Sequence, residues 1–344
     1  MTPPLSSLLV VDFTTLLPGP LATLMLARAG AKIIKIERPE GDEMRRFGPF
    51  VAGRSLPFEL LNRGKASRTV DLKNPADKAD LLTVLATADI VVEQFRPGVM
   101  ARFGLDYTAL SALNPRLIYC SITGFGGSGP LAHKAGHDLN YIAESGLLSL
   151  SQGGNDAPVL PPALIADIAG GSLPAVINIL LALVQREQTG RGVHVDIAMS
   201  QSTFALMPFA LAEVLGGRSS PPSGAGMLTG GLARYNLYPT RDGRMLAVAA
   251  LEDRFWRHVC AITGLEEALH DDFVTPAASH KQLRAIIASE DGDVWAARFA
   301  QADCCVSLVR NVEEAINNPQ FSALFAEETI LPLPVSRHFT TDGA

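Results

Sequence analysis

The sequence predicts an α/β protein with a large domain built on a parallel sheet, followed by a smaller α+β domain. Three observations carry this reading. Short β-branched runs alternate with helical stretches through the first third; a glycine- and proline-rich stretch interrupts the chain near residues 215–225; and a hairpin-like segment followed by helical patterns fills the region beyond it. Strand, helix, strand at this spacing implies parallel strands joined by crossover helices.

Taken in order, Leu9-Val10-Val11-Asp12-Phe13 reads as a buried strand, and Pro18-Gly19-Pro20 turns into a helix through Arg28 that stops at Gly30, a residue suited to a left-handed cap. Lys32 to Glu37 is the next strand, Leu81 to Ala86 is helical, and Asp89 to Glu93 and Arg116 to Ile122 return to strand. Val176 to Val184 is apolar nearly all round, which predicts a buried helix. Gly216 to Gly224 has linker composition. Beyond it come a hairpin-like stretch at Tyr235 to Tyr238, a turn at Arg241-Asp242-Gly243-Arg244, a strand from Met245 to Leu251, and helices from Arg254 to about Phe299. The expected boundaries are a large domain over 1–214, a linker over 215–225 and a small domain over 226–309, with 310–344 returning to the large one.

Composition narrows the function. With 344 residues, 47% of them hydrophobic and 19% charged, the chain has ample material for a core and lacks the signature of disorder. A net charge of −6 argues against a bulk nucleic-acid binder, so an anionic ligand needs a local basic cluster. The four cysteines show no CxxC spacing, which indicates neither a metal site nor a redox pair. The N-terminus lacks a secretory pattern, and the apolar stretch from Ala175 to Val184 is far short of the roughly 20 residues a membrane span needs. No membrane partner is expected, and cytoplasm is the default compartment.

Gly124-Phe125-Gly126-Gly127-Ser128-Gly129 matches GxGxxG after a strand. A dinucleotide site requires a helix to open at that turn, whereas Pro130 follows and the next helix starts near Gly136. Glu37 does end the second strand, as a ribose-binding acid would, but Pro18-Gly19-Pro20 stands where the glycine fingerprint belongs. A mobile or tightly turned loop is the better reading of residues 124–129.

Ala135-Gly136-His137-Asp138-Leu139-Asn140-Tyr141 resembles the AGHDxNY segment of α-methylacyl-CoA racemases, within the family III CoA transferases (the CaiB/BaiF type). Glu37-Arg38-Pro39, Phe95-Arg96-Pro97-Gly98-Val99, Thr123-Gly124-Phe125-Gly126, Gly190-Arg191-Gly192 leading to Val195-Asp196-Ile197-Ala198-Met199, and Ala247 to Glu252 agree with it, in order, along nearly the whole chain. The resemblance implies a Rossmann-like large domain, a small domain, and two open rings interlocked as a homodimer with active sites between chains. It implies an acyl-CoA substrate, with coenzyme A carried as part of it and no tightly bound cofactor or metal.

Inverting a stereocentre α to a thioester requires an acid/base group on each face and a donor for the enolate oxygen. A histidine and a carboxylate suit this work because both are tunable toward neutral pH. By resemblance, His137 and Asp167 are the two catalytic positions, Glu252 of the partner chain orients His137, and the Asp138 N–H holds the thioester oxygen. Arg38 and Arg96 match positions at the nucleotide end of coenzyme A, and Tyr141 one near the pantetheine path; Arg45, Arg46, Arg54, Arg63 and Lys65 are candidates for a basic rim. Plainer readings stand beside these. Asp167 is also an acid expected ahead of a helix beginning near Ser172, Glu252 an acid at a strand-to-helix junction, Asp138 a helix cap, and the basic rim an ordinary solvated surface. Arg234 stands where the family has an aromatic residue, either to recognise a carboxylate on the acyl group or to face solvent.

Two further functions remain open. A CoA transferase on the same fold would use Asp167 as a nucleophile and form a mixed anhydride, with no need of His137. A catalytically silent CoA-binding or assembly protein is the other, and the joint presence of His137, Asp167 and Glu252 speaks against it.

Overall fold

The structure, a computed structural model, describes residues 2–151, 158–325, 331–336 and 339. They divide into two compact units. The first contains 2–145, 161–206 and the stretch 331–336; the second contains 146–151, 158–160 and 207–325. The division thus falls at 206/207, ahead of the linker-like stretch, and residues 310–325 group with the second unit.

In the first unit, β1 (Leu9–Asp12), β2 (Lys32–Glu37), β5 (Ala66–Thr69), β6 (Ile90–Glu93), β7 (Ile118–Thr123) and β8 (His194–Ala198) form a parallel sheet in the order β5-β2-β1-β6-β7-β8. A short ribbon of β3 (Phe50–Val51) and β4 (Arg54–Ser55) lies between β2 and β5 in the chain. The chain winds outward from β1 in one direction and then from β6 in the other, which is the doubly wound Rossmann order. Both faces of the central strands are covered. Val11, Val91 and Tyr119 face a layer containing Leu81, Leu85, Leu105 and Leu110, and Val10, Ile90, Val92, Ile118 and Ile122 are also buried. This is why these strands read as continuous apolar runs.

Charges penetrate the core where the sequence predicts none. Lys35, on β2, is 1% exposed and reaches Asp42 at 2.8 Å and the Thr14 carbonyl at 2.6 Å. Lys65 lies against Asp12 at 3.3 Å and donates to the Pro20 carbonyl and Asn62. Lys65 is therefore no part of a basic rim. Burial opposes ionisation of Asp12, but Lys65, Lys35, Thr14 and Thr23 overcome it and hold the carboxyl below its usual range.

The helix Pro18–Arg28 packs beneath this cluster, and a Cβ at Gly19 would stand 2.2 Å from Thr14 Cβ, so only glycine fits the turn. The Gln94 side chain joins the ends of β1 and β6, donating to the Thr15 carbonyl at 2.7 Å and accepting from the Gly19 N–H at 3.3 Å.

The helix Leu173–Thr189 corrects the expectation of burial all round. Ala175, Ile179, Ala182 and Arg186 are buried, whereas Ile177, Leu180, Leu181 and Val184 are 56, 41, 61 and 60% exposed. Apolar composition alone does not say which face of the helix the sheet covers. Joined to the turns before it, the helical run spans Ile165–Thr189, 25 residues, and by length and apolarity alone is sufficient to cross a bilayer. Core helices pass the same test, and here Arg186 is buried against the sheet, 3.1 Å from Asp89 and bonded to the Arg116 carbonyl.

The second unit holds an antiparallel sheet in which β10 (Met245–Ala249) is flanked by β9 (Tyr235–Pro239) and β11 (Val306–Leu308). The β9–β10 hairpin turns at residues 240–244. Helices Asp253–Thr263, Pro276–Ile287 and Gly292–Phe299 supply Trp256, Val259, Leu283, Ile287, Trp295 and Phe299 to a core shared with Tyr238, Leu246 and Val248. Each such fully buried side chain contributes roughly 1.5–3 kcal/mol.

Candidate active site

β7 delivers the chain into the loop that begins at Gly124, and this loop leads to the helix Asp138–Glu144. Tyr141 points back along its helix and closes the loop. A Cβ at Gly124 would lie 2.3 Å from the tyrosine ring and one at Gly136 2.8 Å, so the two glycines create the space the ring occupies. The Tyr141 hydroxyl donates to the Gly136 carbonyl, and Phe125 meets the ring edge-on at 5.2 Å between centroids. His137 is therefore carried on a turn held from both sides. It is the N-cap residue, its N–H donates to Asn140 Oδ1 at 3.0 Å, and its side chain is exposed.

Asp167 arrives from elsewhere in the sequence. It ends the turn Ile165–Asp167, and a single π turn, Ile168–Ser172, connects it to the helix Leu173–Thr189. It thus lies inside a continuous helical run rather than ahead of a helix at Ser172. The Ser172 hydroxyl donates to both the Asp167 carbonyl at 3.1 Å and the Pro18 carbonyl at 2.7 Å. π turns concentrate at functional positions because the extra residue re-aims its neighbours.

Asp138 joins the two segments. It is 5% exposed, and its Oδ1 accepts the Asp167 N–H at 2.9 Å. Burial foremost, then the charge of Asp138, pushes the Asp167 carboxyl up to about 6, while His137 acts in the opposite direction. Tyr141 responds to the same charges. Burial and the nearby Asp167 and Asp138 raise its hydroxyl pKa, against the lowering effect of Arg96. His137, Asp138, Tyr141, Asp167 and Arg96 therefore form one electrostatic cluster. The exposed Arg96 side chain makes no hydrogen bond or ion pair among the described residues.

Arg38 is exposed and donates to Glu43 at 2.8 Å and to the Gly41 carbonyl at 3.2 Å. Glu252 lies in the second unit, exposed, as the N-cap residue of Asp253–Thr263. Arg45 is taken up by Glu37, with two bonds of 2.7 Å. Burial works against ionising Glu37, but Arg45, Ser67 and the Asp42 N–H hold it down to about 2, so it has no capacity left for a ribose. The GxGxxG loop is likewise internally committed: the Gly126 N–H donates to Thr123 and the Gly127 N–H to Asp196, both at 2.9 Å.

Arg234 fits neither of its expectations. It is 3% exposed and paired with Asp272 at 2.7 Å and Asp253 at 2.9 Å, so it neither faces solvent nor has a charge to spare for an acyl carboxylate.

Two features escape sequence reasoning. The Asp138 carboxylate gives no local sign that it holds a backbone N–H 29 positions away. Glu93, at the end of β6, is bonded to Ser121, whose hydroxyl is 2.9 Å from His194 Nε2; only its place one residue before Gln94 and three before Arg96 hints at it.

Comparison with known proteins places the chain in a family. The model of CoA-transferase family III matches residues 5–330. An acetyl-CoA:oxalate CoA-transferase from Acetobacter aceti is 34% identical over 331 residues, covering 93% of this chain and 84% of that one. An α-methylacyl-CoA racemase from Homo sapiens is 33% identical over 320 residues, covering 91% and 80%. The crystal structure of a CaiB/BaiF family protein from Brucella suis superimposes with a TM-score of 0.85 at 30% identity, covering 98% and 93%. The chain belongs to CoA-transferase family III.

Proposed function

We propose that this chain is an acyl-CoA racemase that inverts the α-carbon of a 2-methylacyl-CoA thioester by two-base proton transfer. The observation that carries it is the cluster in which the Asp138 carboxylate holds the Asp167 N–H at 2.9 Å and the Asp167 carboxyl, raised by burial and by Asp138, feels the charge of His137. One of His137 and Asp167 removes the α-proton, and the C–H electron pair moves onto the thioester oxygen as an enolate. The other, in its acid form, returns a proton to the opposite face. The first N–H of the helix Asp138–Glu144 has no carbonyl partner within its own helix, and it takes the enolate oxygen. Arg96 beside Tyr141, with Arg38, receives the phosphates of coenzyme A, which enters with the substrate and is not a resident cofactor.

In this reading Glu252 comes from the partner chain of an interlocked homodimer and orients His137. The exposed apolar stripe Ile177, Leu180, Leu181 and Val184 supports a second copy, because an i, i+3, i+4, i+7 pattern is the buried face of a helix. Branched acyl esters belong to lipid metabolism, and three buried free thiols, Cys120, Cys260 and Cys304, suit a reducing cytoplasm.

A second reading, transfer of CoA between carboxylic acids through an Asp167 anhydride, is favoured by transferases that are 34% and 36% identical to this chain, against 33% for the human racemase. Proton NMR in deuterium oxide separates the two. The racemase takes up deuterium at the α-carbon of 2-methylacyl-CoA esters and loses inversion in both His137→Ala and Asp167→Ala. The reading falls if the wild type takes up no deuterium yet transfers CoA, or if His137→Ala inverts at the wild-type rate.

A further inference from the structure

Arg234 is buried, doubly paired and remote in sequence from every residue assigned a role above, yet its guanidinium is committed to the backbone around Glu252. Nη1 donates to the Leu251 carbonyl at 3.1 Å and to Asp253 Oδ1 at 2.9 Å, the two residues that flank Glu252. Nε donates to Asp272 Oδ1 at 2.7 Å, and the Arg234 N–H to Asp272 Oδ2 at 2.9 Å. The Arg234 carbonyl accepts the Ala250 N–H at 2.8 Å, so the strand leading to Glu252 is tied to the same residue. Trp256 and Phe273 enclose the guanidinium, their ring centroids 5.4 and 4.8 Å from its central carbon.

Glu252 itself has extended backbone, φ −74° and ψ 139°, and its carbonyl accepts from the N–H groups of Phe255 and Trp256, each at 3.0 Å. Its side chain leaves the backbone at the one residue between the two that Arg234 grips. We propose that Arg234 is a positioning residue: by clamping Leu251 and Asp253 it fixes the direction in which the Glu252 carboxylate projects. A planar fork holds a carbonyl and two carboxylates through donors fixed in direction and spread over several atoms; a lysine offers its donors from a single nitrogen on a flexible stem and cannot fix the same three partners in that geometry. This rests on the reading of Glu252 as the group that orients His137.

The test is a double-mutant cycle on the full-length protein, following α-deuterium exchange of a 2-methylacyl-CoA ester. Arg234→Lys keeps a charge beside the buried Asp272 but releases the clamp. We expect kcat to fall about tenfold with KM within about twofold, and the double variant Arg234→Lys/Glu252→Gln to be no slower than Glu252→Gln alone. A purely structural arginine predicts the same tenfold loss in both backgrounds, and that result overturns the proposal. Glu252→Gln at the wild-type rate instead removes the orienting role of Glu252, and this inference falls with it. If Arg234→Lys does not fold, Asp253→Ala serves in its place. The Asp253 side chain is 85% exposed, so its loss removes one arm of the clamp at little cost in stability. A several-fold fall in kcat that disappears in the Glu252→Gln background supports the proposal, and one that persists there refutes it.

Discussion

Asp138 and Asp167 show how burial and a neighbouring charge act together on one carboxyl. In the proposed two-base reaction, the His137–Asp167 pair must hold one proton for either transfer to run, whichever enantiomer is bound. Both directions therefore share one pH profile, whose limbs belong to the pair. Because Asp167 is held near 6 by burial and by Asp138, the rate should fall as pH drops through about 6. Asp138→Asn keeps an oxygen for the Asp167 N–H but removes the charge. The acid limb should then move to lower pH while inversion persists, as pH–rate profiles of kcat/KM from each enantiomer will register. An unmoved limb would mean that Asp138 does not set the Asp167 carboxyl.

The elements that carry these residues are legible in the sequence to different degrees. The strands of the parallel sheet are visible because runs such as Leu9 to Asp12 and Ile90 to Glu93 are apolar and bounded by turns. β11 is only three residues long and carries no pattern of its own. The buried Lys35 and Lys65 are invisible locally, since a lysine is buried only when a distant carboxylate meets it, and Asp42 and Asp12 are supplied by the fold. Likewise, only the resemblance singles out His137 and Asp167, because nothing about a separation of 30 residues says that they share one electrostatic cluster.

The π turn that follows Asp167 can be tested. A Cβ at Gly170 would lie 2.6 Å from the Met199 carbonyl, so Gly170→Ala must displace backbone. Overpacking of this kind costs about 1–3 kcal/mol. We expect a melting midpoint lowered by roughly 3–10 °C, with kcat reduced through Asp167, three residues away. An unchanged midpoint would show that the turn relaxes freely.

At the end of β6, burial foremost, with the charge of Asp196 adding, pushes Glu93 up to about 7 against the opposing bonds from Ser121 and the Phe95 N–H. In the unfolded chain the same carboxyl titrates near 4.5. Between these values the native state binds more protons, so the contribution of Glu93 to stability declines as pH rises from about 4.5 to 7 and is level above. Glu93→Gln should thus gain on the wild type between pH 5 and 8, by at most about 3 kcal/mol at ~1.4 kcal/mol per pKa unit. Denaturant midpoints at the two pH values measure it, and a pH-independent difference would contradict a neutral Glu93.

For the whole molecule, the proposed dimer makes a demand that no single chain can meet. If each site combines His137 of one chain with Glu252 of the other, neither His137→Ala nor Glu252→Ala homodimers contain an intact site. A mixed dimer of the two variants has one site lacking both groups and one with both restored. Co-expression with random pairing makes half of all dimers mixed, so about a quarter of all sites are intact and activity should recover to about a quarter of wild type. Sites built within one chain would show no recovery above the two parents. Leu181→Glu, on the apolar stripe of the helix Leu173–Thr189, should by contrast give a folded monomer by light scattering, since Leu181 is 61% exposed in the chain itself. A monomer that kept full inversion would place both bases and their orienting acid in one chain, and the shared site would be excluded.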